Sequence, residues 1–141
     1  MQIKVYHKKS IQNGFFSKSI EEVHLIGLSL TDKMMKSVEK VLESFEAVIS
    51  YDWRGYRDGI NLIFTIEAST MYDSENETKP FSKQKGHDIA ENRAVIKAYR
   101  TAMKINRHIQ SIIAREHCNL EDTISSKLSK QIDIRNEIIR D

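Results

Sequence analysis

Arg93, Lys97, Arg100, Lys104 and Arg107 recur at steps of four, three, four and three residues. That spacing places five cations on one face of an α-helix. No acid stands three or four residues from any of them. Like charges at i,i+4 cost a few tenths of a kcal/mol per pair, so this face favours an anion that relieves them. Directly before it lies Phe81-Ser82-Lys83-Gln84-Lys85-Gly86-His87. Gly86 near a helix start lets a ligand approach the backbone, where first-turn N–H groups are unpaired. Ser82, Lys83 and Lys85 add donors and charge, His87 can donate to a phosphate, and Phe81 offers a ring on which a base can stack. A phosphate-rich, base-containing ligand is the chemistry these residue types suit.

Other chemistries are weaker. The loop is no Walker motif, since GxxxxGK[ST] is absent, and no GxGxxG occurs. His7, His24, His87, His108 and His117 are scattered without HxxxH or HExxH spacing, so no metal site is expected. No nucleophilic triad or paired-carboxylate set stands out, and no catalytic residue or cofactor is assigned. Asp88 and Glu91 are placed at a helix N-terminus, where the dipole favours acids. Tyr51, Trp53 and Tyr56 read as cross-strand packing or pocket lining, with Arg54 and Arg57 as further phosphate ligands.

These groups need elements to hold them. Gln2 to Lys8 alternates as a strand, Asn13-Gly14 signals a hairpin, and Glu22 to Leu30 reads as a buried strand. Thr31-Asp32 opens a helix to about Glu46, with Met34, Met35, Val38, Val41, Leu42 and Phe45 at helical spacing. Ala47–Trp53 and Ile60–Ala68 form a second hairpin across a six-residue connection. Ser69 to Pro80 is a polar surface loop or lid. A long helix runs from about Lys85 to Glu116, with Ala94, Val95, Ala98, Ala102, Ile105, Ile109, Ile112 and Ile113 opposite the cations. His117-Cys118-Asn119 interrupts it, and a last helix follows with Asn119 as its cap.

The whole is α+β: a small antiparallel sheet with one packed helix, then a long basic helix and a C-terminal helix. The 141 residues fit one domain, residues 1–80 mostly sheet plus helix and 81–141 helical. With 40 % hydrophobic and 30 % charged residues the chain reads as globular and soluble. A net charge of +2 makes the basic face local. The single Cys118 forms no intramolecular disulfide. No signal peptide or membrane-length apolar run is visible, so a cytoplasmic location is expected. The long helix, roughly 45 Å at 1.5 Å per residue, outreaches a compact domain of roughly 30 Å. A second copy of the chain is the expected partner for the excess.

Residues 79–102, KPFSKQKGHDIAENRAVIKAYRTA, carry the pattern F-S-K-x-x-G-x-x-I-A-x-x-R-A. It resembles the first-described family of phage anti-Thoeris sponges, through Phe81, Ser82, Lys83, Gly86, Ile89, Ala90, Arg93 and Ala94. His87 stands where that pattern more often carries Arg. The resemblance implies a non-catalytic protein of the host bacterial cytoplasm that holds a cyclic ADP-ribose derivative or a cyclic oligonucleotide. It further implies a dimer or larger ring with sites between subunits. Phe81 would stack on adenine, and Asn92 and Arg93 would face ribose and phosphates. Lys97 and Arg100 extend that site, and Lys104 and Arg107 lie far enough along the helix for a second one. The rival expectation is a nucleic-acid-binding module that uses the basic helix 93–107.

Overall fold

The computed structural model describes residues 2–56, 59–76 and 78–140. Its elements are β1 (Gln2–Asn13), β2 (Phe16–Leu28), α1 (Asp32–Glu43), β3 (Val48–Tyr56), β4 (Gly59–Met71) and α2 (Lys83–Arg140). All strand pairs are antiparallel, in the order β1-β2-β4-β3. The α+β architecture expected from the sequence is the one found. The chain divides into two compact units, Met1–Asn106 and Arg107–Asp141.

The first hairpin turns at Asn13-Gly14, with Asn13 paired to Phe16 and Gly14 at φ +59, a backbone conformation that costs glycine nothing. Phe16 to Leu28 is one strand rather than two extended pieces. Its side chains alternate: Ser17, Ser19, Glu21, Val23 and Leu25 are buried, and the residues between them are half-exposed. Register places Val23 beside Phe64, Leu25 beside Leu62 and Glu21 beside Ile66, so these share a face. Tyr51 and Trp53 of β3 lie opposite Phe64 and Leu62 and join the same face.

α1 and residues 83–106 of α2, which belong to the same unit, cover that face, with Gly86 against Ser17. Thr31 caps α1, its hydroxyl accepting from the Met34 N–H. Met34, Val38 and Leu42 form the buried stripe. Trp53 donates through Nε1 to Glu39 (2.9 Å), and Tyr51 donates to Glu43 (2.8 Å). The hydrogen bond to Glu43 raises the Tyr51 phenol above its ordinary pKa. These two rings clamp α1 instead of lining a pocket. The side chain of Tyr56, together with Arg57, lies outside the described residues, and Arg54 pairs loosely with Asp52 at 3.8 Å.

Several boundaries differ from expectation; β1 runs past Lys8 to Asn13, and α1 ends at Glu43 rather than near Glu46. The β3–β4 pairing continues to Tyr56 opposite Gly59, so the six-residue connection shrinks to residues 57–58, outside the described residues. Ser69 to Met71 belongs to β4, because Phe16, Ser17 and Lys18 of β2 supply ladder partners there. The break at His117-Cys118-Asn119 is absent: α2 is helical throughout. No Pro or Gly follows Gly86, and weak helix formers alone do not stop a helix this long. Asn119 caps nothing; its carbonyl accepts from the Thr123 hydroxyl one turn later, at 3.0 Å. Cys118 is exposed and free.

Candidate functional site

The N-terminus of α2 is built from a cap, a charge bias and a close approach. Ser82 precedes the first helical residue, and its Oγ accepts the Lys85 N–H at 3.2 Å. Its carbonyl accepts the Gly86 N–H at 3.0 Å. The first turn contains no acid, and Lys83 and Lys85 supply positive charge where the dipole is already positive. Asp88 and Glu91 therefore sit one and two turns inside the helix, not at its start. Gly86 lies against β2: a Cβ there would stand 2.4 Å from the Ser17 Oγ. Only glycine lets the first turn rest this close to the sheet.

Beside this turn three rings meet. Phe15 and Phe81 contact edge to face, 5.0 Å between centroids. Tyr72 stands 5.2 Å from Phe15 and 5.4 Å from Phe81. Chain pairing brings them together. The Asn13-Gly14 hairpin puts Phe15 at the end of the sheet where Met71 leaves β4, and the Tyr72 N–H donates to the Phe15 carbonyl at 2.9 Å. The Tyr72 hydroxyl donates to the Lys79 carbonyl and so ties Lys79 to one of the rings. A cavity of about 50 Å³ opens among Phe15, Tyr72, Phe81, Lys79, Lys85 and Gly86. Small-molecule sites usually span about 300–1,000 Å³, so a whole nucleotide enters only if a ring swings aside.

The structure brings four of the expected site residues to this notch: Phe81, Ser82, Lys85 and Gly86. Lys83 points to solvent in the same turn. His87 is half-buried, and among the described residues its Nε2 is enclosed without a hydrogen-bond partner. Asn92 shares a shallow depression with Asp88, Glu91 and Val95, away from the notch lining. Sequence reasoning missed Phe15 and Tyr72. The hairpin signal at Asn13-Gly14 contained the clue to Phe15; nothing local marked Tyr72.

The cationic face is exposed along its length, but its members differ. Arg93 donates to the Ser69 carbonyl at 3.1 Å, where β4 runs past the start of β3. Lys97 borders a depression with Phe16, Lys18, Glu46 and Glu67, in which Lys18 already pairs with Glu67. Lys104 sits over the Phe45 ring at 5.1 Å, a cation–π contact. Arg100 is exposed, and Arg107 belongs to the second unit.

No family model, curated protein or solved structure matches this chain. No described helix is long and apolar enough to cross a membrane.

Proposed function

We propose that this chain is a non-catalytic nucleotide-binding protein that sequesters a cyclic nucleotide immune signal, and so counteracts bacterial antiphage defence. The ligand class is a cyclic ADP-ribose derivative or a cyclic oligonucleotide. The observation that carries the reading is the notch itself: three rings meeting a capped, acid-free helix N-terminus flanked by Lys79 and Lys85. A base slides against the rings as Phe81 or Tyr72 turns aside. A phosphate then takes the first-turn N–H groups and the lysines through charge-assisted bonds. Among the described residues the lining offers rings, hydroxyls and lysines and no carboxylate or imidazole, which suits holding a ligand rather than cleaving it.

Self-association is part of the proposal. Leu120, Ile124, Leu128, Ile132 and Ile138 are 41–69 % exposed along the second unit. Acids and bases are mixed around them, including Glu121, Asp122, Lys127, Lys130, Asp133 and Arg135. A mixed-charge border around an apolar stripe is the pattern of helix pairing.

The alternative, nucleic-acid binding by helix 93–107, has less support. Arg93 and Lys104 are engaged on Ser69 and Phe45. The two readings separate in one experiment. The protein is mixed with cyclic ADP-ribose isomers and cyclic trinucleotides, its melting temperature read, and the complex then denatured. Sequestration predicts a raised melting temperature and release of intact ligand. No shift with either class, together with a steep salt-dependent affinity for polynucleotide, selects the alternative.

A further inference from the structure

A bulge in β1 gathers a second set of polar groups, apart from the notch. His7 pairs with Glu21 and Lys9 with Ile20, so Lys8 is an extra residue in the strand. Before the bulge the odd residues of β1 share the face of Glu21. After it the even residues do, with Ser10 opposite Ser19. In a regular strand His7 and Ser10 would point to opposite faces. Here they meet: Ser10 Oγ lies 2.9 Å from His7 Nε2. His7 Nδ1 lies 2.7 Å from Glu21 Oε1 and 3.9 Å from Oε1 of Glu91, which descends from α2.

We propose that His7, Glu21 and Glu91 form a binding site for a divalent transition-metal ion of the zinc class. One ligand atom from each lies within 4.8 Å of the other two. Donors about 2.0–2.2 Å from a tetrahedral zinc stand about 3.4 Å from one another, and the separations of 2.7 and 3.9 Å straddle that value. A neutral imidazole with two carboxylates suits zinc, manganese or iron and leaves positions open for water.

Two further observations point the same way. Glu21 is 1 % exposed, and among the described residues its one ion-pair partner is His7, which carries a positive charge only when protonated. A buried carboxylate requires a positive partner. Its outer contacts are already those of a ligand: Ser19 Oγ donates to Glu21 Oε1 at 2.7 Å, and Ser10 holds the far nitrogen of His7. Among the described residues the enclosed Nε2 atoms of His24 and His87 have no hydrogen-bond partner; His87 stands one helical turn before Glu91 on the same side of α2. It offers a further donor on the helix that carries Glu91. A metal here ties α2 to β1 and β2, and it stands independently of nucleotide binding.

The test uses the full chain carrying Cys118→Ala, which removes the exposed thiol, after stripping with a chelator. Co²⁺ is followed by its visible absorption and Zn²⁺ by melting temperature. The site predicts one Co²⁺ per chain with ligand-field bands of nitrogen and oxygen donors, and a Zn²⁺-dependent rise in melting temperature. Glu91→Gln removes one ligand from a half-exposed position. It should leave the metal-free melting temperature unchanged, weaken Co²⁺ binding at least about tenfold and abolish the Zn²⁺ shift. His7→Gln should do the same to binding. Absence of the bands, or binding indifferent to both substitutions, overturns the proposal and places any bound ion at the remaining histidines.

Discussion

The two stretches of α2 meet different demands with different residues. Between Lys83 and Asn106 the buried positions are Ala90, Ala94, Ala98, Thr101, Ala102 and Ile105. Small side chains let a helix backbone settle close to a sheet, and Gly86 against Ser17 is the limit of that approach. Between Leu120 and Arg140 the apolar positions are Leu120, Ile124, Leu128, Ile132, Ile134, Ile138 and Ile139, all 41–73 % exposed. Large branched side chains are what a helix uses to fill space against a partner. One stretch has met its partner within the chain, and the other carries the residues for a partner and has none among the described residues of its own unit.

The largest expected effect falls on the open stretch. Ile124→Lys with Leu128→Lys removes two apolar anchors, each contributing about 1.5–3 kcal/mol when buried. Sedimentation should show self-association weakened by about 100-fold or more, with the thermal unfolding of the sheet unit unchanged. A monomeric wild type would break the comparison. On the docked stretch, Ala98→Leu overfills a position with no exposure and should cost about 1–3 kcal/mol in urea unfolding. Gly86→Ala, which on an open helix would gain about 1 kcal/mol, should instead destabilise, since its Cβ meets Ser17 Oγ. Pairing it with Ser17→Ala should recover part of the loss. Ser82→Ala removes the cap and should cost about 1 kcal/mol. The smallest effect belongs to Ala114→Leu, an exposed alanine beyond Asn106, which should stay within about 0.5 kcal/mol.

The alternation that opens β1, the Thr31 cap and the hairpin at Asn13-Gly14 were legible because each is a local signal with a single physical cause. The alanine stripe of α2 was legible for the same reason, since period and residue size coincide. The continuity of α2 through Cys118 was not. Three poor helix formers resemble a break when no long-range length is known. The notch was half legible: Phe81, Ser82, Lys85 and Gly86 lie in one run, whereas Phe15 and Tyr72 arrive through strand pairing. The His7–Glu21–Glu91 cluster was invisible to spacing rules. Its members stand on three elements, and a one-residue bulge sets the face on which His7 and Ser10 meet.

The claim that the notch at the start of α2 holds a nucleotide is tested most directly by calorimetric titration. The full chain and its Lys85→Glu variant are titrated with cyclic ADP-ribose isomers and cyclic trinucleotides. The account predicts saturable binding by the wild type, recovery of the ligand intact, and a loss of at least about tenfold, or about 1.4 kcal/mol, in the variant. Equal affinity in the two proteins, or no binding by either, would contradict it.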